Sequence, residues 1–209
     1  TDEIVQNYKA SRKMSGKGKV VTPGFIDSHI HADFQLSRGL ADEVASQRFL
    51  FERMYPYEEK LNEEDSYWSG QLCVAELIRH GVTTFIDPGN YHPEVTARVI
   101  GEAGNRGIVA KSAFDIMKSA FGTLPEEFNE TTDEAVERSR RVLEELSGAY
   151  DGRVRPWLSF RGVNNCTDEL IVRLKELADE FGVGLQAHAC FAKETMEGSL
   201  SKYGFPEIE

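Results

Sequence analysis

The sequence predicts an α/β domain built on a parallel sheet. One recurring pattern carries that expectation. From about residue 65 one unit recurs: an amphipathic helical stretch, then a glycine, then a short apolar strand. Helices alternating with short buried strands are the pattern of βαβ units. Right-handed crossovers then leave two architectures, a doubly wound sheet or a closed barrel, and the pattern alone does not choose between them.

The elements follow in order. A first strand is expected from Val20-Val21 to Ile26-Asp27, followed by a polar loop to about residue 64. A helix around Tyr67 to His80 places Trp68, Leu72, Ala75 and Ile78 on one stripe and ends at Gly81. The β-branched run Val82 to Ile86 is the second strand, closed by Asp87-Pro88-Gly89. A helix over Glu94 to Asn105 ends near Gly107, before a third strand at Ile108 to Ala110. Thr131 to Glu134 reads as a capping box opening a helix that carries Val136, Val142, Leu143 and Leu146, with a strand near Val154 to Phe160 beyond it. Thr167 is the expected N-cap of a fourth helix with Leu170, Ile171, Leu174, Leu177, Ala178 and Phe181 on one face. Gly182 stops it, and Val183 to Ala189 is the fifth strand.

Composition narrows the function classes. A formal net charge of −11 argues against a broad nucleic-acid footprint, which needs clustered Lys and Arg; the basic stretch from Lys9 to Lys19 reads as a solvated terminal segment. No apolar run approaches the roughly 20 residues of a membrane span, so no membrane partner is expected. Cys73, Cys166 and Cys190 are odd in number and never spaced C-x-x-C, which suggests free thiols in a reducing, cytoplasmic compartment. No G-x-S-x-G nucleophile elbow is present, and the glycine clusters sit in the wrong context for a dinucleotide loop.

His29 and His31 form an H-x-H just past the first strand. Alternate strand residues point to the same side, so two imidazoles can converge on one ion. Alone this is weak. The run Val21-Thr22-Pro23-Gly24-Phe25-Ile26-Asp27-Ser28-His29-Ile30-His31, however, resembles the signature ending the first barrel strand of the amidohydrolase superfamily. Arg38 to Asp42 and Ala75 to Asp87 resemble the branch containing cytosine, guanine and S-adenosylhomocysteine deaminases and triazine hydrolases.

The resemblance implies a (β/α)8 TIM-barrel-type metal-dependent hydrolase, here truncated to roughly the first five βα units. Residues 1–19 would be a remnant of an N-terminal β-sandwich segment or linker, and residues 20–209 the N-terminal part of the barrel. It implies that His29, His31 and His188 bind a divalent metal, zinc first and iron second. Such a metal lowers the pKa of its water to about 7, and an acid protonates the departing nitrogen. The family places a glutamate three residues after the fifth-strand histidine; Phe191 stands there, and Glu194 is the nearest candidate acid. His92, after the second strand, is a candidate substrate contact, whereas His80 reads as a helix C-terminal residue. The implied reaction is hydrolytic deamination, or other C–N or C–Cl cleavage, of a small heterocycle. The alternative is a catalytically incomplete module. An unfinished barrel leaves sheet edges and apolar faces open, which points to poor solubility or to pairing with another copy or a partner.

Overall fold

Parallel hydrogen bonding links five successive strand positions in chain order, each beside the one before it. The computed structural model describes residues 2–45, 48–119 and 122–208. The first two strands are β1 (Phe25–Asp27) and β2 (Val82–Ile86). The third is broken into β3 (Arg106–Val109) and β4 (Ser112–Ala113). A small antiparallel hairpin follows, β5 (Lys118–Ser119) with β6 (Gly122–Thr123). The fourth position is β7 (Val154–Pro156) and β8 (Leu158–Phe160), and the fifth is β9 (Leu185–Ala187).

The sheet orders are β1-β2-β3-β7 and β4-β8-β9, all parallel. The two segments are one curving surface, because Trp157 N donates to Val109 O at 2.9 Å and Leu158 N to Gly184 O at 3.0 Å. Sequential parallel strands of this kind form the wall of a (β/α) barrel. Among the described residues β1 and β9 are each paired on one side only.

The helices are α1 (Asp2–Asn7), α2 (Tyr55–Glu58), α3 (Glu63–Arg79), α4 (Pro93–Ala103), α5 (Thr132–Leu146), α6 (Ala149–Gly152), α7 (Asp168–Phe181) and α8 (Lys193–Tyr203). Their starts are chemical. The Thr131 side chain accepts from Glu134 N while the Glu134 carboxylate accepts from Thr131 N, so two otherwise unpaired donors of α5 are satisfied. Thr167 accepts from Leu170 N at 3.1 Å and opens α7 as its N-cap. Gly182 closes α7 with φ 65°, a left-handed conformation that costs glycine little. Packed inside, Leu143, Leu158, Leu170 and Leu174 form one core cluster, and Val74, Phe85, Val99, Ile100 and Val154 another.

The first strand is shorter than the sequence suggests. Val20 and Val21 are 88% and 92% exposed, because pairing with β2 begins only at Phe25↔Val82 and no described strand lies beside residues 20–24. The segment to residue 64 is not a polar loop throughout. It holds a 3-10 turn (Ala32–Ser37), a π-helical turn (Phe49–Met54) and α2, because Met54, Tyr55 and Glu58 are buried there. Residues 8–24 carry no strand, so no sandwich strand is seen in the described part of the N-terminal segment. No helix of the described residues is long and apolar enough to cross a membrane.

Candidate metal centre

Chain direction decides where the site lies. All five strand positions of the wall run parallel, so the residues that leave their C-terminal ends meet at one mouth. His29 and His31 follow β1, whose path is held past its last residue by Ile30 N donating to Ile86 O at 3.0 Å. His188 follows β9 directly. The three rings converge: His29–His31, His29–His188 and His31–His188 centroids lie 5.5, 5.1 and 5.2 Å apart. One ligand nitrogen from each lies within 4.8 Å of the other two.

The second atoms orient these rings. His188 Nδ1 lies 3.2 Å from the Arg161 carbonyl oxygen, which fixes Nδ1 as the donor and leaves the Nε2 lone pair facing the mouth. His31 Nε2 lies 3.1 Å from His188 Nε2. His31 Nδ1 is buried with no hydrogen-bond partner among the described residues. Burial holds the His31 pKa well below the ordinary imidazole value, helped by the nearby Arg161 cation and the other two histidines. Burial, with Arg161 and His29, takes His188 down to about 4. Both imidazoles are therefore neutral at pH 7, the state a metal ligand requires. Two nitrogens facing each other at 3.1 Å are close to the roughly 3.3 Å separation of two ligands about 2.0–2.1 Å from one tetrahedral zinc. The donor set fits a divalent cation that accepts imidazole nitrogen.

A carboxylate that sequence reading left unassigned holds the mouth together. Asp87, fully buried at the end of β2, accepts from Ala32 N at 3.2 Å, Gly89 N at 3.0 Å and Asn90 Nδ2 at 2.9 Å. Its backbone oxygen accepts from Gln186 Nε2 at 3.0 Å. Asp87 thus ties the loops after β1 and β2 to β9. Burial nevertheless raises its pKa to about 6, against the hydrogen bonds that favour the anion. Gly89 is the residue that permits this turn, with φ 122° and a position where a Cβ would lie 3.1 Å from the Ser112 backbone.

The histidines open onto a cavity of about 250 Å³. Phe34, Phe49, Phe51, Met54, Tyr55 and Phe191 form apolar walls, and Glu58, Arg161 and Glu207 bring charge. Glu58 and Arg161 pair, with Arg161 Nη2 donating at 3.1 and 3.3 Å, and Tyr91 Oη donates to Glu58 at 2.8 Å. Glu207 accepts from Cys190 N and, at 3.3 Å, from Thr195 Oγ1.

The structure therefore brings His29, His31 and His188 together and leaves the other two candidates apart. Glu194 is exposed in the first turn of α8 and does not line the cavity. His92 is the N-cap residue of α4, with Nδ1 3.8 Å from Glu94, and is likewise absent from the cavity wall. Sequence reading missed Glu58, Arg161, Glu207 and Asp87. Arg161 and Asp87 each stand at the C-terminal end of a strand, the position that marks function in a barrel, and could have been found on that rule.

The amidohydrolase family profile matches residues 20–207. A 5-methylthioadenosine/S-adenosylhomocysteine deaminase of Pelotomaculum thermopropionicum is 28% identical over 96% of this chain and 43% of its own length. The chain thus spans under half the length of such curated relatives. A guanine deaminase from C. acetobutylicum, solved with guanine in its active site, superposes with a TM-score of 0.77 at 19% identity, over 87% of this chain and 43% of that one. Atrazine chlorohydrolase from Arthrobacter aurescens TC1, solved with zinc, gives 0.74 at 22% identity, over 88% and 44%. A match over nearly the whole sequence, on a fold with parallel strands in this order, means that the chain belongs to the amidohydrolase family.

Proposed function

We propose that this chain forms the first five βα units, residues 20–209, of a metal-dependent hydrolase that removes an amino or chloro substituent from a small heterocycle. Residues 1–19 lie outside that barrel. The carrying observation is the convergence of three imidazoles, from the first and fifth strand positions, at the wall of an aromatic cavity. His29, His31 and His188 would hold the ion, zinc by preference because the zinc-bound chlorohydrolase shares the fold. When bound, such an ion acts as a Lewis acid that makes water nucleophilic at neutral pH.

The chain's own residues supply the rest. The Arg161 carbonyl orients His188 through Nδ1, and Asp87 fixes the loop that carries His31. Phe34, Phe49 and Phe191 offer faces on which a planar ring stacks, and exclude bulk water from it. The leaving nitrogen needs a proton. Glu207 lines the cavity and Glu194 does not, which favours Glu207 for that role. The free thiols and the absence of long apolar helices among the described residues suit a cytoplasmic enzyme with a small-molecule substrate.

Zinc-reconstituted protein should release ammonia from aminopurines or chloride from chlorotriazines, and a His188→Ala variant should not. Equal rates in the two proteins would reject the reading. One observation favours a second reading, a non-catalytic module: among the described residues β1 and β9 are each paired on one side only, with Phe25 and Ile26 on β1 exposed by 60% and 68%. A folded chain that binds no metal would support it.

A further inference from the structure

The outer face of α3 is apolar along its middle and charged at its two ends. Toward the sheet the helix buries Ser66, Ser69, Gly70, Cys73, Val74 and Leu77. The stripe of Trp68, Leu72, Ala75 and Ile78 is therefore not the face turned inward: Trp68 and Ile78 are 58% and 51% exposed, Ala75 is exposed and Leu72 is half-buried. On one flank Tyr67 is engaged with α4, donating to Glu102 at 2.8 Å beneath the Arg98 guanidinium. On the other flank Glu76 accepts from Arg38 at 2.8 Å. Between these contacts the stripe is left to solvent among the described residues. Single exposed apolar residues are ordinary, but a tryptophan in line with further apolar positions makes a patch. Glu64 and Arg79 extend it at helical spacing; both are exposed, and neither side chain has an ion pair or hydrogen bond among the described residues.

The pattern is self-complementary. A second copy of the helix, turned antiparallel about a two-fold axis between residues 71 and 72, sets Trp68 against Ala75, the largest side chain against the smallest. The same turn sets Glu64 against Arg79, anion against cation, and brings Leu72 to its own copy near the axis. Each match occurs twice, as an isologous interface requires. A parallel pair would instead put Glu64 beside Glu64 and Trp68 beside Trp68, so charge and size both select the antiparallel arrangement. We propose that this face of α3 is an antiparallel two-fold interface between two copies of the chain, with Trp68 as its anchor, the role tryptophan most often plays at interface centres. None of these residues lines the histidine cavity, so pairing leaves that site open and the proposal is independent of the hydrolase reading. A helix of 17 residues is about 25 Å long, so the contact lies at the low end of interface sizes and the dimer forms with a Kd on the order of micromolar.

The test is sedimentation equilibrium of the whole chain over a concentration series, in a Phe25→Lys/Ile26→Lys parent that takes the exposed β1 edge out of play. The parent should still form a dimer. Trp68→Asp, a change at an exposed position that circular dichroism should show to be folded, should weaken it about 30-fold or more. Glu64→Arg alone and Arg79→Glu alone each bring like charges together twice and should weaken the dimer about 5-fold. Glu64→Arg/Arg79→Glu restores opposite charges in the reversed order, and its dimer should come back to within about 2-fold of the parent. If the β1 substitutions unfold the chain, the same variants in the unaltered chain keep the test, because restoration by the double reversal is a signature that the β1 edge cannot produce. A folded parent that stays monomeric about 100-fold above a micromolar Kd, a Trp68→Asp protein that pairs as well as its parent, or a double reversal no better than the single ones would overturn the proposal.

Discussion

Asp87 shows how much one side chain decides at this mouth. It accepts from Ala32 N, Gly89 N and Asn90 Nδ2 in a fully buried position, so Asp87→Ala strands three donors. Each buried unsatisfied donor costs about 1–3 kcal/mol, so the variant should lose more than about 3 kcal/mol in urea denaturation; a loss under about 1 kcal/mol would show that the loops hold themselves. His92 gives a pH signature instead. Its pKa is raised, first by the neighbouring Glu94 carboxylate. A raised folded-state pKa contributes stability fully below the unfolded value of about 6.5, and loses it as pH rises through the folded value. Glu94 is half exposed, so the contribution is under about 1 kcal/mol. The thermal midpoint of wild type should exceed that of His92→Gln near pH 6 and match it by pH 9; a constant difference across that range would contradict the linkage. At this scale the sequence was partly legible. His29, His31 and His188 were marked by the resemblance of the run ending in H-x-H and by the place of His188 at the end of the fifth strand. Asp87, Glu58 and Arg161 were not, because their importance is burial and long-range pairing, as in the Glu58–Arg161 contact across 103 positions.

Among the elements, the helices were the most legible because their signals are local. The Thr131–Glu134 box, the Thr167 cap and the Gly182 stop are all read within four residues, and all three form as expected. Thr167 does more than its local pattern says: its hydroxyl also donates to Asp115 Oδ2 at 2.6 Å, joining the start of α7 to the segment after β4. Thr167→Ala should therefore cost about 1–2 kcal/mol, the upper part of the range for an N-cap, in chemical denaturation. A loss no larger than a few tenths would mean that water replaces both bonds. Strands were less legible. A break at Trp157 and the late start of β1 at Phe25 depend on which neighbour supplies the pairing, and no local pattern reports that. The turns between Ala32 and Glu58 were hidden for a related reason: Tyr55 and Glu58 look like loop residues until the cavity wall that buries them is assembled.

For the whole molecule, alternation of helix and strand left a doubly wound sheet and a barrel both open, and the observed order of parallel neighbours selects the barrel wall. Each outer strand has one partner among the described residues, and β1 exposes Phe25 and Ile26. An unpaired edge with apolar residues is a template for association. Sedimentation should show concentration-dependent self-association of this chain, weakened by Phe25→Lys/Ile26→Lys; a monomer at all concentrations would contradict it.

The central claim is that strands one and five bring three imidazoles to one ion. Elemental analysis of the purified chain beside a His29→Ala/His31→Ala double variant tests it most directly. The account predicts about one zinc per chain in wild type and none in the variant, with both proteins folded by circular dichroism. Folded wild-type protein that takes up no zinc, or a variant that retains it, would contradict the site.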